Sequence, residues 1–185
     1  MRSIIVGKQI PVPVSRKPDF SSLVRIIIGQ QLSGKAAETI WRRLEEALPG
    51  KTISQLHYDK LSDWELRKIG VSHQKKDYIR NLSKLLHANA NFFEDLSILC
   101  QQKCIEELKK IKGIGDWSAS IFAMSAFGHL DVLAKNDATI KKTVIELYGE
   151  DFTEDSENWN ELMRKWSPYR TVACRVLWHW ADGNL

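Results

Sequence analysis

Cysteine is scarce in this chain. Cys100, Cys104 and Cys174, three in 185 residues, are too few and the wrong parity for a disulfide framework, and they cannot supply the four thiolates of an iron–sulfur cluster. Cys100 and Cys104 lie four apart, but the five histidines (His57, His73, His87, His129 and His179) are scattered, so no zinc-ligand spacing forms. Long apolar runs are also missing. Near the start, Ile26–Ile28, with Arg25 before it, is a run far short of the roughly 20 apolar residues of a membrane span. The start of the chain also has no apolar h-region, so no secretory signal is expected. Ten glycines and five prolines exclude a collagen-like repeat, and 43% hydrophobic against 27% charged residues excludes a disordered chain. Free thiols in a reducing cytosol are the expectation.

Seven tryptophans are plentiful for this length. Charge is uneven: net +4 overall, with eight bases and four acids in residues 1–50 but four bases and six acids in 151–185. That asymmetry fits one basic face. Glu150–Glu161 holds six acids and no base, so this stretch is expected either to face away from a polyanion or simply to be a solvated loop.

Residues 1–18, with Pro11, Pro13 and Pro18, read as an extended arm. From Asp19 onward apolar residues recur at helical spacing. Ser33 and Ser72 can cap helices, Thr52-x-x-Gln55 and Ser62-x-x-Glu65 read as capping boxes, and Gly70 is a stop. Further helices are predicted over about Gln101 to Ile111, Asp116 to Phe127, Ala138 to Tyr148, Ser156 to Trp166 and Tyr169 to Ala181. No strand alternation appears, so the fold class is all-α.

The most informative stretch is Leu108 to Ala119, with the centre Lys112-Gly113-Ile114-Gly115-Asp116. A dinucleotide loop would need a strand before Gly113-x-Gly115, and the preceding residues are helical and charged. Helix, tight turn, helix fits instead. Two glycines allow a sharp turn and a close approach, Ile114 pins it inward, and the amides opening the next helix point at a positive dipole end beside Lys109, Lys110 and Lys112. Such a turn suits a phosphate and ignores base sequence. From spacing alone, a mere turn between packed helices is an equal reading.

This stretch resembles the helix-hairpin-helix motif of DNA repair glycosylases. About twenty residues on, Asp131–Lys141 resembles that superfamily's second half, whose catalytic aspartate falls on Asp137. Ile28-Gly29-Gln30-Gln31-Leu32-Ser33 resembles the segment that fills the gap left by a flipped base, with the wedge at Gln31 and Leu32. Trp166-Ser167-Pro168-Tyr169-Arg170 resembles the closing helices of the 3-methyladenine DNA glycosylase II family, without the N-terminal sheet domain of its longer members. The resemblance covers about Asp19 to Gly183.

It implies a two-lobed helical bundle with a cleft for a flipped base: one lobe from about 19–35 plus 132–185, the other from about 36–131 including the hairpin 108–119. It implies a monofunctional hydrolase acting on alkylated purines in double-stranded DNA. Asp137 is the catalytic carboxylate; Gly113, Ile114 and Gly115, with Lys112 and Asp116, hold phosphate. Trp117 and Trp178 are the pocket walls that stack on a cationic base. Trp41, Trp64 and Trp159 read as core, Trp166 and Trp180 as either. In relatives with strand-cutting activity a lysine nucleophile stands two residues past the hairpin's last glycine; here that residue is Trp117, so no lyase activity is expected. An aromatic that some relatives carry four residues further on is Ile121. Arg170 reads as an interface or phosphate residue. No cofactor or catalytic metal is expected. A structural cation can sit on the carbonyls of Lys109, Ile111 and Ile114. The expected partner is damaged DNA, with no membrane and a monomeric state; the location is cytoplasmic and nucleoid-associated in a prokaryote, nuclear in a eukaryote. Two alternatives stand beside this reading: a related glycosylase for oxidised, deaminated or mismatched bases, and a non-catalytic DNA-binding or damage-sensing module.

Overall fold

The computed structural model describes residues 16–183, and among these every regular element is helical. Most of the predicted arm, residues 1–15, lies outside the described residues. Its end is anchored: the Arg16 backbone N–H donates to Ser125 O at 2.7 Å.

Caps set the helix starts. The Asp19 carboxylate accepts from Ser22 N–H and opens α1, Phe20–Gly29. Ser33 opens α2, Gly34–Glu46. Ser62 and Glu65 form both halves of the predicted capping box on α4, Asp63–Ile69, and Gly70 ends it in the left-handed region. Ser72 caps α5, His73–Ala88, and Ser156 caps α10, Glu157–Trp166. The other predicted box differs. Ser54, not Thr52, caps α3, Gln55–Tyr58, because Thr52 closes the preceding 3-10 turn Pro49–Lys51. A short helix α6, Phe92–Ser97, was not predicted; six residues carry too little periodicity to show. The set is completed by α7 (Gln101–Lys109), α8 (Asp116–Ala126), α9 (Ala138–Tyr148) and α11 (Arg170–Ala181).

Two apolar cores form. The first gathers α1, α2 and the helices through α7, with Leu23, Ile27, Leu44, Leu66, Ile79, Leu82 and Leu108 all nearly inaccessible. The second gathers Val132, Ile140, Val144, Trp159, Leu162, Cys174 and Leu177. Helix α8 serves both. Ala119, Phe122 and Ala126 face the first core, Ala123 and Met124 the second, which is why it is apolar all round. The resemblance implied a lobe of about 19–35 with 132–185. The buried face of α1 packs on α2, α5 and α8, where its Leu23–Ile28 stripe is completed by the first core.

Trp41 and Trp159 are buried, as read from spacing. Trp64 is not: it is 62% exposed on α4, with the Lys68 ammonium 3.7 Å above its ring. The Lys68 ammonium gives the exposed indole a cation–π partner in place of a core.

Candidate active site

A loop threaded between the cores delivers Asp137. The start of α11 pins it: Thr171 N–H donates to Leu130 O at 2.9 Å, Thr171 Oγ1 donates to His129 O at 2.6 Å and accepts from Val132 N–H at 3.0 Å. Asp131 accepts a two-pronged pair from Arg170, Nε at 2.7 Å and Nη2 at 2.8 Å, and a third bond from Ser167 Oγ at 2.9 Å. Arg170 hydrogen bonds first, with Ser167 helping, hold Asp131 down at about 2. Arg170 therefore serves the interface rather than a phosphate. Farther on, Asn136 takes a left-handed φ of 64° and donates its N–H to Glu154 Oε1 at 3.1 Å; Glu154 is also ion-paired with Lys141. The acidic stretch is thus not wholly turned away, because Glu154 folds back to hold the turn before Asp137.

Asp137 is 8% exposed and caps α9, its Oδ1 accepting from Ile140 N–H at 2.9 Å. The same oxygen accepts from Trp178 Nε1 at 3.1 Å, and Oδ2 accepts from Trp117 Nε1 at 2.8 Å. An ionised carboxylate offers about four lone-pair positions, and three are filled, so one on Oδ2 is left for another donor. The three residues are brought together from positions 117, 137 and 178. The two indoles grip the carboxylate edge-on, a contact their spacing could not show.

Recesses flank this cluster. Trp117, Ile121 and Ser125 recur every four residues along one face of α8. Trp117 lines a recess of about 260 Å³ with Arg16, Arg25, Gly29 and Trp41. Ile121 and Ser125 line another, of about 300 Å³, with Arg175 and Trp178. Arg25 stacks 4.7 Å over Trp41 and pairs with Glu38 at 2.5 Å.

The hairpin closes after α7. Ile111 N–H donates to Leu108 O at 3.1 Å and Ile114 N–H to Ile111 O at 2.9 Å, with Leu108, Ile111 and Ile114 buried in the first core. The Ile114 amide is therefore spent inside the turn. The two glycines differ. Gly113 has φ +94°, and a Cβ there would lie 2.2 Å from the Tyr78 ring. Gly115 is extended, and a Cβ there would meet nothing within 4 Å; it precedes α8 without a side-chain cap, so the helix's first amides keep no side-chain partner from it. Two of the three lysines are already paired, Lys109 with Asp116 at 2.5 Å and Lys110 with Glu107 at 2.6 Å. Exposed Lys112 makes no ion pair among the described residues. Ile111 O, having accepted one amide, keeps a second lone pair.

The turn after α1 sits beside the hairpin. Gln31 is exposed with φ 55°, strained for a residue other than glycine, and Leu32 is 39% exposed. Two residues missed from sequence fasten this turn. Gln30 Nε2 donates to Gly113 O at 2.8 Å and Ser118 Oγ at 2.9 Å. Lys75 Nζ donates to Ile28 O at 2.7 Å and Gln30 O at 2.8 Å, and burial pushes its amine below the usual lysine value. The signal for Lys75 was present: it lies four residues before buried Ile79, on the inward face of α5.

Residues 24–168 match the family described as HhH-GPD superfamily base excision DNA repair protein. The chain is similar to the solved DNA-3-methyladenine glycosidase of Bacillus halodurans, 35% identical over 97% of this chain and 82% of that one, with a TM-score of 0.80. It is 27% identical to the DNA-3-methyladenine glycosylase of Saccharomyces cerevisiae over 96% of this chain and 71% of that protein. A 3-methyladenine DNA glycosylase of Schizosaccharomyces pombe, solved with abasic DNA, shares the fold at a TM-score of 0.80 and 22% identity, covering 98% and 89% of the two chains.

Proposed function

From the premise that this chain belongs to the HhH-GPD superfamily of base excision DNA repair proteins, we propose that it is a glycosylase that flips an alkylated purine out of duplex DNA and hydrolyses its N-glycosidic bond with water. The observation that carries the reading is the carboxylate of Asp137, fixed by one backbone and two indole N–H donors, with one lone pair left and with both indoles lining recesses. Breaking the bond builds positive charge on the sugar, and a fixed carboxylate stabilises that charge and takes a proton from attacking water.

The other parts fit this chemistry. Extruding a base costs a few kcal/mol, and something must fill the hole. Gln31 and Leu32 stand exposed on a strained turn fastened to the hairpin, as a wedge requires. Gly115 leaves open space at an uncapped helix start, as a close-approaching phosphate requires. The carbonyls of Lys109, Ile111 and Ile114 would hold a monovalent cation there, supplying positive charge toward that phosphate. Trp117 and Trp178 line the flanking recesses, and their rings would stack on an electron-poor base, worth about 0.5–2 kcal/mol. The printed names of the relatives, DNA-3-methyladenine glycosidase and glycosylase, support the alkylated-purine class.

Among the described residues no lysine donates to Asp137, and Trp117 fills the place where a lyase would carry its amine. The product is therefore an intact strand with an abasic site, and the protein acts as a monomer.

Release of methylated bases from alkylated duplex DNA tests the reading. Asp137→Asn keeps a side-chain oxygen for the α9 cap and so keeps the fold. It should lower release about 100-fold or more while duplex binding persists. Undiminished release by this variant would remove Asp137 from the chemistry; wild-type protein that binds DNA but releases no base would leave a damage-sensing module.

A further inference from the structure

One acid of the acidic stretch behaves unlike its neighbours. Glu150, Asp151, Asp155 and Glu157 are exposed and make no ion pair among the described residues, and Glu161 pairs with Lys165 on its own helix. Glu154 instead folds back to the loop that delivers Asp137. Its Oε1 accepts the Asn136 N–H at 3.1 Å, and its Oε2 is ion-paired with Lys141. Lys141 Nζ also donates to Asn136 Oδ1 at 3.4 Å, so the ammonium stands at the same turn. Exposed Lys135 makes no ion pair among the described residues and adds its charge to the group around Glu154. Burial pushes the Glu154 carboxyl up, but Lys141, the Asn136 amide and Lys135 outweigh it and hold the group below the usual glutamate value.

The arrangement is an anion seat with an anion of the chain's own in it. The amides on either side, of Lys135 and Asp137, are closed onto Leu133 O and Ala134 O, whereas the left-handed turn at Asn136 leaves its amide to Glu154. Neighbouring residues stand about 3.8 Å apart, so the seat adjoins the carboxylate that meets the sugar. A nucleotide held at Asp137 carries a phosphate on each side, within reach of such a seat. An amide and an ammonium serve a phosphodiester as they serve a carboxylate. Left in place against an incoming strand, Glu154 would set like charge beside like charge.

We propose that the Asn136 amide and Lys141, with Lys135 beside them, form the seat of a DNA phosphate flanking the flipped nucleotide, and that Glu154 fills this seat in the free protein and yields it when the damaged strand docks. The inference rests on the glycosylase reading above. It makes Glu154 a competitor of the substrate strand, one that acts only once a nucleotide has been extruded toward Asp137.

The test compares affinity for a duplex carrying one tetrahydrofuran abasic analogue with affinity for the same duplex undamaged. Glu154→Gln keeps an oxygen for the Asn136 N–H but loses the charge. It should tighten binding to the analogue duplex about 3- to 5-fold, the upper end of what one exposed ion pair is worth, and change binding to undamaged duplex much less. Glu150→Gln, which removes a charge from the same stretch away from the seat, should change neither. Lys141→Met should weaken analogue binding, lower the slope of log affinity against log salt by about 1, and erase most of the gain from Glu154→Gln in the double variant. A Glu154→Gln protein with no gain, a loss, or an equal gain on both duplexes overturns the proposal and leaves Glu154 a brace of the turn. A gain that survives in full without Lys141 overturns it as well. A wild type that prefers the analogue duplex isolates these failures to the seat, whereas one that binds both duplexes equally overturns the seat and the glycosylase reading together. If Lys141→Met fails to fold by circular dichroism, the selectivity of the Glu154→Gln gain decides.

Discussion

Asp137 works as a structural cap and as a reactive group at once, and its neighbours can be separated by chemistry. Trp178→Phe keeps a flat ring in the recess but deletes the 3.1 Å donor to Oδ1. If the indole merely stacks on the base, base release should hardly change. If it also orients the carboxylate, release should drop about tenfold, in line with one hydrogen bond to a charged group. Single-turnover rates distinguish the two, and we expect the drop. The two hairpin glycines offer a second contrast. Gly113→Ala forces a Cβ against the Tyr78 ring at a φ of +94° and should cost about 1–3 kcal/mol of stability by thermal or denaturant unfolding. Gly115→Ala meets nothing within 4 Å, so unfolding should be unchanged while duplex affinity falls. A Gly115→Ala protein that binds DNA as tightly as wild type would show that no backbone approaches there. At this scale the sequence was only partly legible. Asp137 stood out through its family resemblance, since an aspartate at a helix start otherwise reads as a cap. Its bonds to Trp117 and Trp178 span 20 and 41 positions, and no local pattern encodes such contacts.

Among elements, the α1–α2 turn and the hairpin form one unit. Lys75 closes the carbonyl end of α1, where a positive charge also suits the helix dipole, and Gln30 ties that end to Gly113 and Ser118. Lys75→Met leaves the Ile28 and Gln30 carbonyls without their donor. It should lower stability by about 1–3 kcal/mol and slow base extrusion more than the hydrolytic step. A fluorescent base analogue beside the lesion would read extrusion directly, and equal slowing of both steps would count against a role in the wedge. Most helices were readable because serine caps and apolar periodicity agree. The misses have physical causes: α6 is too short to show a period, and Thr52 was taken up by a 3-10 turn. The core that α1 joins was not legible, because periodicity tells which face is buried but not against what.

For the whole molecule, the loop bearing Asp137 is fastened to α11 through Asp131 and Arg170, and to α7 through Gln101 Nε2, which donates to Asp131 O at 2.8 Å. Asp131 titrates near 2 when folded, against about 3.9 in an unfolded chain. Its folded value is the lower one, so its contribution to stability is complete above about pH 4 and fades as pH falls toward about 2. Acid unfolding of Asp131→Asn should lack that part of the pH dependence, measured as the difference in midpoint between neutral and acidic buffers. Borohydride treatment of the protein with lesion-bearing DNA should leave no covalent adduct, given tryptophan at position 117.

The grip of two indoles on one carboxylate has an optical consequence. Of seven tryptophans, Trp117 and Trp178 donate to the one carboxylate of Asp137, whereas buried Trp41 donates to Glu45, Trp159 is buried and Trp64 lies near the surface under Lys68. Indole emission responds to the polarity and hydrogen bonding of its N–H and to a ring stacked on its face. A base entering beside Asp137 therefore perturbs two emitters together, and the protein carries its own unlabelled optical readout of whether the cleft is filled.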